Sequence, residues 1–176
     1  MTEKLNKTEP VILSLGSNLG DREVNILEAA DALSGSKDVS LRMLSSLYET
    51  EPVDGDYAGT FINAAVLLRT GMTAGELLYL CRRIEEELGG SIRSRGYDRT
   101  IDIDIILLGS LVLDTVELIV PHPRFRERAF VVKPVLEICP DLRIPPRRVP
   151  LSEMVATEEL EGWTRVVSCR YSPGFI

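Results

Sequence analysis

Positive charge is in short supply in this chain: 20 Lys and Arg stand against 27 Asp and Glu, a formal net charge of −7. That balance argues against a general affinity for nucleic acid or an anionic membrane surface, both of which demand cations. Any basic cluster therefore stands out. Cysteine is also scarce. Cys81, Cys139 and Cys169 are odd in number, far apart and outside any metal-ligand spacing. Reduced thiols in a cytoplasmic protein are the simplest reading. No stretch reaches membrane-spanning length without a charge, since residues 101–120 are interrupted by Asp102, Asp104, Asp114 and Glu117. Residues 1–10 are polar and lack the apolar segment of a secretory signal. Internal repeats and low-complexity tracts are absent as well. What remains, 176 residues with 44% hydrophobic and 27% charged, is ordinary globular usage. One domain over 1–176 is expected.

The most informative stretch is Arg99-Thr100-Ile101-Asp102-Ile103-Asp104-Ile105-Ile106-Leu107-Leu108. Aliphatic, β-branched and free of Pro and Gly, it predicts a strand that stops at Gly109. Alternation sends Ile101, Ile103 and Ile105 to one face and Asp102 and Asp104 to the other, roughly 6.6 Å apart along the strand. Two unpaired carboxylates on so apolar a strand are costly to bury. A hard divalent cation removes that cost, and Mg²⁺ favours one or two carboxylates together with substrate phosphates. Arg99, just upstream, is a natural phosphate partner. The plain alternative is an Asp-x-Asp on the wet face of a half-exposed sheet.

Around this strand the chain reads β-α-β-β-α-β. Val11–Leu15 predicts a buried strand, residues 16–21 a turn, and Asp21 the cap of a helix placing Val24, Leu27, Ala30 and Leu33 toward a core until Gly35. A second strand is expected over 39–49, then a breaker-rich loop over 50–60, then a strand over 61–68. Thr73 with Glu76 forms a capping box for a helix whose apolar positions are Leu77, Cys81, Ile84 and Leu88. This order is the ferredoxin-like α+β arrangement: an antiparallel sheet, helices on one face, the other face free for a site. Beyond Gly109 come C-terminal additions: a hairpin arm near 111–113, a short helix over 131–138 containing Pro134, a Pro-rich connector over 140–150, a helix over 151–160 and a last strand over 163–170.

Two basic clusters bear on chemistry. The Gly/Ser-rich loop from Gly89 to Arg99 holds Arg93, Arg95 and Arg99, whose forked donors suit closure over a polyphosphate. The alternative is a solvated helix–strand connection. The second cluster is His122, Arg124, Arg126 and Arg128, read as a phosphate contact against a bland surface turn. Asn63 is either satisfied locally on its strand or recognises the edge of a heterocycle, with Phe61 on the same face available to stack.

Five blocks now stand in order: Leu15–Asp21 (LGSNLGD), Tyr48–Pro52 (YETEP), Phe61–Val66 (FINAAV), Arg99–Ile105 (RTIDIDI), and Val120–Pro123 (VPHP) with Arg128–Phe130 (RAF). Together they strongly resemble the 6-hydroxymethyl-7,8-dihydropterin pyrophosphokinase family, in a core over about 11–140, while the tail, 150–176, carries no motif. The resemblance implies diphosphate transfer from the co-substrate ATP to the pterin hydroxymethyl group, releasing AMP, a step of folate biosynthesis. It implies small-molecule substrates, no nucleic acid, no membrane, and a monomer. Asp102 and Asp104 match ligands of two Mg²⁺ ions. Thr50, Val53 and Asn63 match pterin-holding positions, and Phe61 and Phe130 match an aromatic sandwich around it. Glu85, Ile105, His122 and Arg128 match ATP contacts, and Arg99 a phosphate-binding arginine on a closing loop. In that loop the family commonly carries Trp-Gly-Pro where Gly96-Tyr97-Asp98 stands here, so Tyr97 either covers the site as that tryptophan does, as an ATP contact, or packs on the domain surface. Gly90 stands where an arginine is usual, and Arg93 and Arg95 are the candidates for its role. A non-catalytic ligand-sensing module on the same fold is the rival reading. A sensor has no need of paired metal carboxylates opposite clustered arginines.

Overall fold

The computed structural model describes residues 4–52, 59–89, 98–155 and 164–168. Strand β1 (Val11–Ser17) is buried along its whole length, so both its faces are covered. The turn after it ends at Asp21, whose carboxylate accepts from the Val24 amide and starts α1 (Arg22–Ser34). The helix turns Ile26, Ala29, Ala30 and Leu33 inward. Val24, expected on the core side, is exposed because it lies in the first turn, off that stripe.

The strand expected over 39–49 is broken into β2 (Val39–Leu44) and β3 (Leu47–Thr50), both paired antiparallel with β4 (Phe61–Thr70). Ser45 bridges the break. Its amide donates to Ala65 O at 2.9 Å, and its hydroxyl oxygen accepts from the Ala65 amide at 2.9 Å, so a side chain stands in for the interrupted ladder. Next comes α2 (Ala74–Glu87), whose capping box is formed as expected: Thr73 Oγ1 accepts from the Glu76 amide, and Glu76 Oε2 from the Thr73 amide. Strand β5 (Asp102–Leu108) then runs antiparallel to β1, with a bulge opposite Ile12 and Leu13.

The sheet order β3-β4-β1-β5, with β2 also on β4, is the ferredoxin-like order. Helices α1 and α2 cover one face, where Leu13, Leu15, Ile62, Ala64, Val66, Ile103 and Ile105 join a single core.

The C-terminal additions dress the other face. Short strands β6 (Leu113–Asp114) and β7 (Ile119–Val120) make the expected hairpin, and a 3₁₀ turn at Phe125–Glu127 leads into α3 (Ala129–Ile138), with Pro134 inside it. Val131, Val135 and Ile138 of α3 pack on Ile12, Ala65, Ile106 and Leu107. The connector over 140–150 forms a small hairpin, β8 (Arg143–Ile144) and β9 (Val149–Pro150), followed by α4 (Leu151–Met154). The helix expected over 151–160 stops at Met154, because Val155 is already extended, and 156–160 lie outside the described residues. Strand β10 (Thr164–Ser168) pairs antiparallel with β3 and extends the sheet to six strands. Among the described residues no helix is long and apolar enough to cross a membrane.

A carboxylate ties α3 to the break in the sheet. Glu137 accepts from the Ser46 amide (3.2 Å), the Ser46 hydroxyl (2.9 Å) and the Tyr48 hydroxyl (2.8 Å). Burial first, and Glu137 second, hold the Tyr48 phenol well above its ordinary value, so it remains a donor. Glu137→Ala strands these donors, and a buried donor left unpaired costs about 1–3 kcal/mol. A lower urea midpoint with an unchanged m-value is the expected outcome of denaturant titration.

Candidate active site

Because side chains alternate, the α3-covered face of the sheet is set by every second residue of each strand. At one end that face is dry. At the other it carries Ser14 and Gly16 of β1, Thr50 of β3, Asn63 of β4, and Asp102 and Asp104 of β5, all opening on a cleft of about 280 Å³. Register brings them together: Asn63 pairs with Gly16, and Gly16 with Asp102, in one row across the sheet. Ser14 pairs with Asp104 in the next. Gly16 leaves the floor of the row bare. A Cβ there would sit 3.0 Å from Asn63 Oδ1, tighter than nine in ten real Cβ contacts, so the amide would have to give way.

Asn63 and Thr50 are both buried, and Asn63 Nδ2 donates to Thr50 Oγ1 at 2.8 Å. Asn63 Oδ1 lies above Gly16. Phe61 opens the cleft on one side and Phe130, in the first turn of α3, on another, with the Arg128 guanidinium 5.5 Å from the Phe130 ring centroid.

The carboxylates point into the same cleft from β5. Asp102 and Asp104 keep 37% and 39% of their side-chain surface reachable from it, though both are recessed among protein atoms. Both titrate above the ordinary carboxylate range. Burial is the main cause for each, and for Asp102 the neighbouring Asp104 charge adds to it. Two guanidinium groups offset this in part: Arg99 Nη1 lies 2.6 Å from Asp102 Oδ1, and Arg128 Nη1 lies 3.8 Å from Asp104 Oδ2. Arg99 is itself held through its backbone, its amide donating to Asn18 Oδ1 at 2.8 Å and its carbonyl accepting from the Asn18 amide at 3.2 Å.

His122 faces the pair from the 120–130 segment, where its amide donates to Ile106 O at 3.0 Å. Its Nδ1 accepts from the Arg124 amide at 3.3 Å, which places the ring proton on Nε2. Burial, then Arg128 and Arg124, push the imidazole down to about 4, against a smaller upward pull from Asp102.

The cleft thus gathers Arg99, Asp102, Asp104, Thr50, Phe61, Asn63, His122, Arg128 and Phe130 of the expected set. Two others stand apart from its lining. Ile105 is buried in the core beneath α1 and α2 because it alternates with Asp104. Glu85 of α2 accepts from the Ile103 amide at 2.8 Å, bracing the strand between the two aspartates from behind. Val53, Arg93, Arg95 and Tyr97 lie outside the described residues. The second basic cluster divides: Arg124 lines the cleft, whereas the 3₁₀ turn carries Arg126 over the Phe125 ring. Ser14, Gly16 and Asn18 were not singled out as site residues from sequence. Their signal was present in the Gly-Ser-Asn turn, but their part depends on register with β4 and β5.

Among the described residues no group of three or more His, Cys, Asp or Glu could hold a metal alone. The donor set present is a carboxylate pair, both raised by burial and Asp102 also by the Asp104 charge. It suits a divalent cation whose remaining positions go to water and to ligand phosphates.

A sheet that holds two acids against guanidinium groups beside an amide-lined slot has the equipment of a phosphoryl- or diphosphoryl-transferring enzyme. A family profile described as 7,8-dihydro-6-hydroxymethylpterin-pyrophosphokinase (HPPK) matches residues 12–140. The 2-amino-4-hydroxy-6-hydroxymethyldihydropteridine pyrophosphokinase of Bacillus subtilis is 43% identical over 127 residues, 72% of this chain and 76% of that protein. Its namesake from Aquifex aeolicus is 38% identical over 143 residues, 81% of this chain and 88% of the other. In the folic acid synthesis protein fol1 of Pneumocystis carinii, 40% identity extends over 76% of this chain but 18% of the longer protein. The chain belongs to the HPPK family. Its fold recurs in the crystal structure of Plasmodium falciparum HPPK-DHPS with pterin and p-hydroxybenzoate, at a TM-score of 0.63 and 15% identity, covering 88% of this chain and 43% of that one.

The chain's single histidine makes its titration directly readable. NMR of the ligand-free protein is expected to show the imidazole titrating near 4 rather than 6.5. Between those values the unfolded chain binds a proton that the folded one does not, so this group takes stability away as pH falls through that window. A midpoint near 6.5 would contradict the buried, neutral imidazole.

Proposed function

We propose that the cleft transfers diphosphate from ATP to the hydroxymethyl group of 6-hydroxymethyl-7,8-dihydropterin, releasing AMP, as the step of folate biosynthesis its family performs. One observation carries the reading: a buried amide slot, Asn63 with Thr50, opens on the same cleft as the Asp102–Asp104 pair, with Asn63 and Asp102 in one sheet row. A heterocycle lodged at the first would present its side arm toward the second. The rival, a non-catalytic sensor, gains nothing from an acid pair kept under such repulsion.

Substrate capture falls to the polar floor and aromatic walls. Asn63 and Thr50 meet donors and acceptors on the pterin edge, and Phe61 and Phe130 flank its ring. Asp102 and Asp104 would hold Mg²⁺, two ions in this reading, which would supply charge neutralisation for the phosphates and acidify the attacking hydroxyl. Attack at the β-phosphorus is then chiefly a matter of positioning, with no dedicated general base. His122 offers its Nε2 proton to a phosphate oxygen without adding charge. Arg128 and Arg99, which lie beside the carboxylates, would turn their forked donors to the triphosphate. Arg93, Arg95 and Tyr97 belong to the same reading through their place in the sequence, as do Glu85 and Ile105 for ATP and Val53 for the pterin. The net negative charge and the free thiols of Cys81 and Cys139 support a cytoplasmic enzyme of small molecules, without nucleic-acid or membrane partners, in this reading a monomer.

AMP formation from ATP and the pterin alcohol, with Mg²⁺ present and then chelated, tests the reading. Asp102→Asn or Asp104→Asn should lower turnover by orders of magnitude and leave the fold intact, since each removes ligand charge. Near wild-type rates at saturating Mg²⁺ would reject the assignment. Asn63→Ala should weaken pterin binding by about 1–3 kcal/mol, the cost of an unpaired edge, and hardly touch ATP binding. Calorimetry with the reverse pattern would move Asn63 to the nucleotide. Arg99→Ala should slow the chemical step by about a hundredfold or more, as loss of a preorganised charge does, with smaller changes in dissociation constants. Single-turnover kinetics checks this, and a loss confined to ATP affinity would make Arg99 a static anchor.

A further inference from the structure

Behind the pterin slot, on the opposite face of the sheet, three side chains form a clamp that no step above uses. Arg22, the first residue of α1, donates through Nη1 to Thr60 O at 2.9 Å and to Thr60 Oγ1 at 2.6 Å. Both of its terminal nitrogens lie 3.4 Å from Glu49 Oε1. The Thr60 hydroxyl donates in turn to that same carboxylate oxygen at 2.9 Å. Each hydrogen bond runs in a consistent sense: Arg22 gives to Thr60 and Glu49, and Thr60 gives to Glu49. The cluster is recessed, with Glu49 only 13% exposed and Arg22 31%. A carboxylate so covered needs its partners.

The place of the clamp matters more than its strength. Glu49 and Thr60 each immediately precede a residue of the cleft, Thr50 and Phe61, and those two face each other across the last pair of the β3–β4 ladder. No further rung beyond them holds the strands at a set spacing. Glu49 pairs with Ile62, whose side chain lies in the core under the helices, so the clamp sits on the helix side while Thr50 and Phe61 line the cleft. Because neighbouring residues point to opposite faces, fixing Glu49 and Thr60 fixes the backbone that aims Thr50 and Phe61.

We propose that Arg22 is a positioning residue for the pterin: through Glu49 and Thr60 it sets the spacing of Thr50 and Phe61, and so the fit of the heterocycle, without touching substrate. The proposal rests on the function assigned to the cleft above. A brace that merely stabilised the fold would act on both substrates alike. A positioning clamp acts on one.

Calorimetry on the full chain, with the pterin alcohol and with an Mg²⁺-bound nonhydrolysable ATP analogue titrated separately, distinguishes them. In Arg22→Ala the pterin dissociation constant should rise about tenfold while that of the ATP analogue stays within about twofold. Arg22→Lys, which keeps the charge and loses the fork, should recover part of the loss. Thr60→Val keeps the carbonyl and removes the hydroxyl link, and should raise the pterin constant by about threefold with the same selectivity. Unchanged pterin affinity in folded Arg22→Ala overturns the proposal, and so does an equal loss for both ligands. If Arg22→Ala fails to fold, Thr60→Val decides by the same two constants. The wild type is measured first: no pterin binding and no AMP from ATP plus the pterin alcohol would overturn the assigned function itself, before any variant is read.

Discussion

Two like charges on one strand face, Asp102 and Asp104, are the constraint around which the rest of this structure is arranged. Burial raises the titration of both, and the Asp104 charge raises that of Asp102 further, so the fold carries them at a cost in the absence of ligand. Everything near them lowers that cost without removing it. Arg99 approaches one and Arg128 the other, while His122 remains neutral and adds no competing cation. The strand bearing them is pinned from behind by Glu85, which takes the amide of the residue between them. A site balanced in this way is poised for an incoming cation and its phosphates.

The same economy divides the second face of the sheet. Where α3 lies, Ile12, Ala65, Ile106 and Leu107 make a dry interface. Further along, the same alternating positions become Ser14, Gly16, Asn63, Asp102 and Asp104, and the cover ends. Helix α3 serves both halves. Its body seals the dry end, and its first turn presents Arg128 and Phe130 to the cleft. Glu137 fastens the helix to Ser46 and Tyr48, at the place where the second strand breaks. The position of one cleft wall is therefore set by hydrogen bonds at the other end of the helix.

What could be read directly from the residues was local. Period-two alternation around Asp102 and Asp104, the Thr73–Glu76 capping box and the order of elements all follow from neighbours in sequence, and the structure keeps them. The interruption at Ser45-Ser46 carries no Gly or Pro, and it becomes intelligible only once Ala65 and Glu137 are known to lie beside it. Arg22, Glu49 and Thr60 are ordinary polar residues until folding brings 27 and 38 positions of separation to hydrogen-bond distance. Glu85 looked like a ligand residue, and its backbone partner in β5 is invisible to any local pattern. Side-chain identity announced the chemistry. Register and helix docking, which are non-local, decided which of those side chains meet.

Strand β10 has one more effect. By pairing with Leu47–Thr50 it occupies the outer backbone groups of β3, which would otherwise form a bare sheet edge beside the cleft. Such an edge is a template for strands from other molecules. The tail segment therefore moves the sheet edge one strand away from the cleft, and in a chain shortened before residue 164 the bare edge would be β3 itself, open to strand addition next to Thr50.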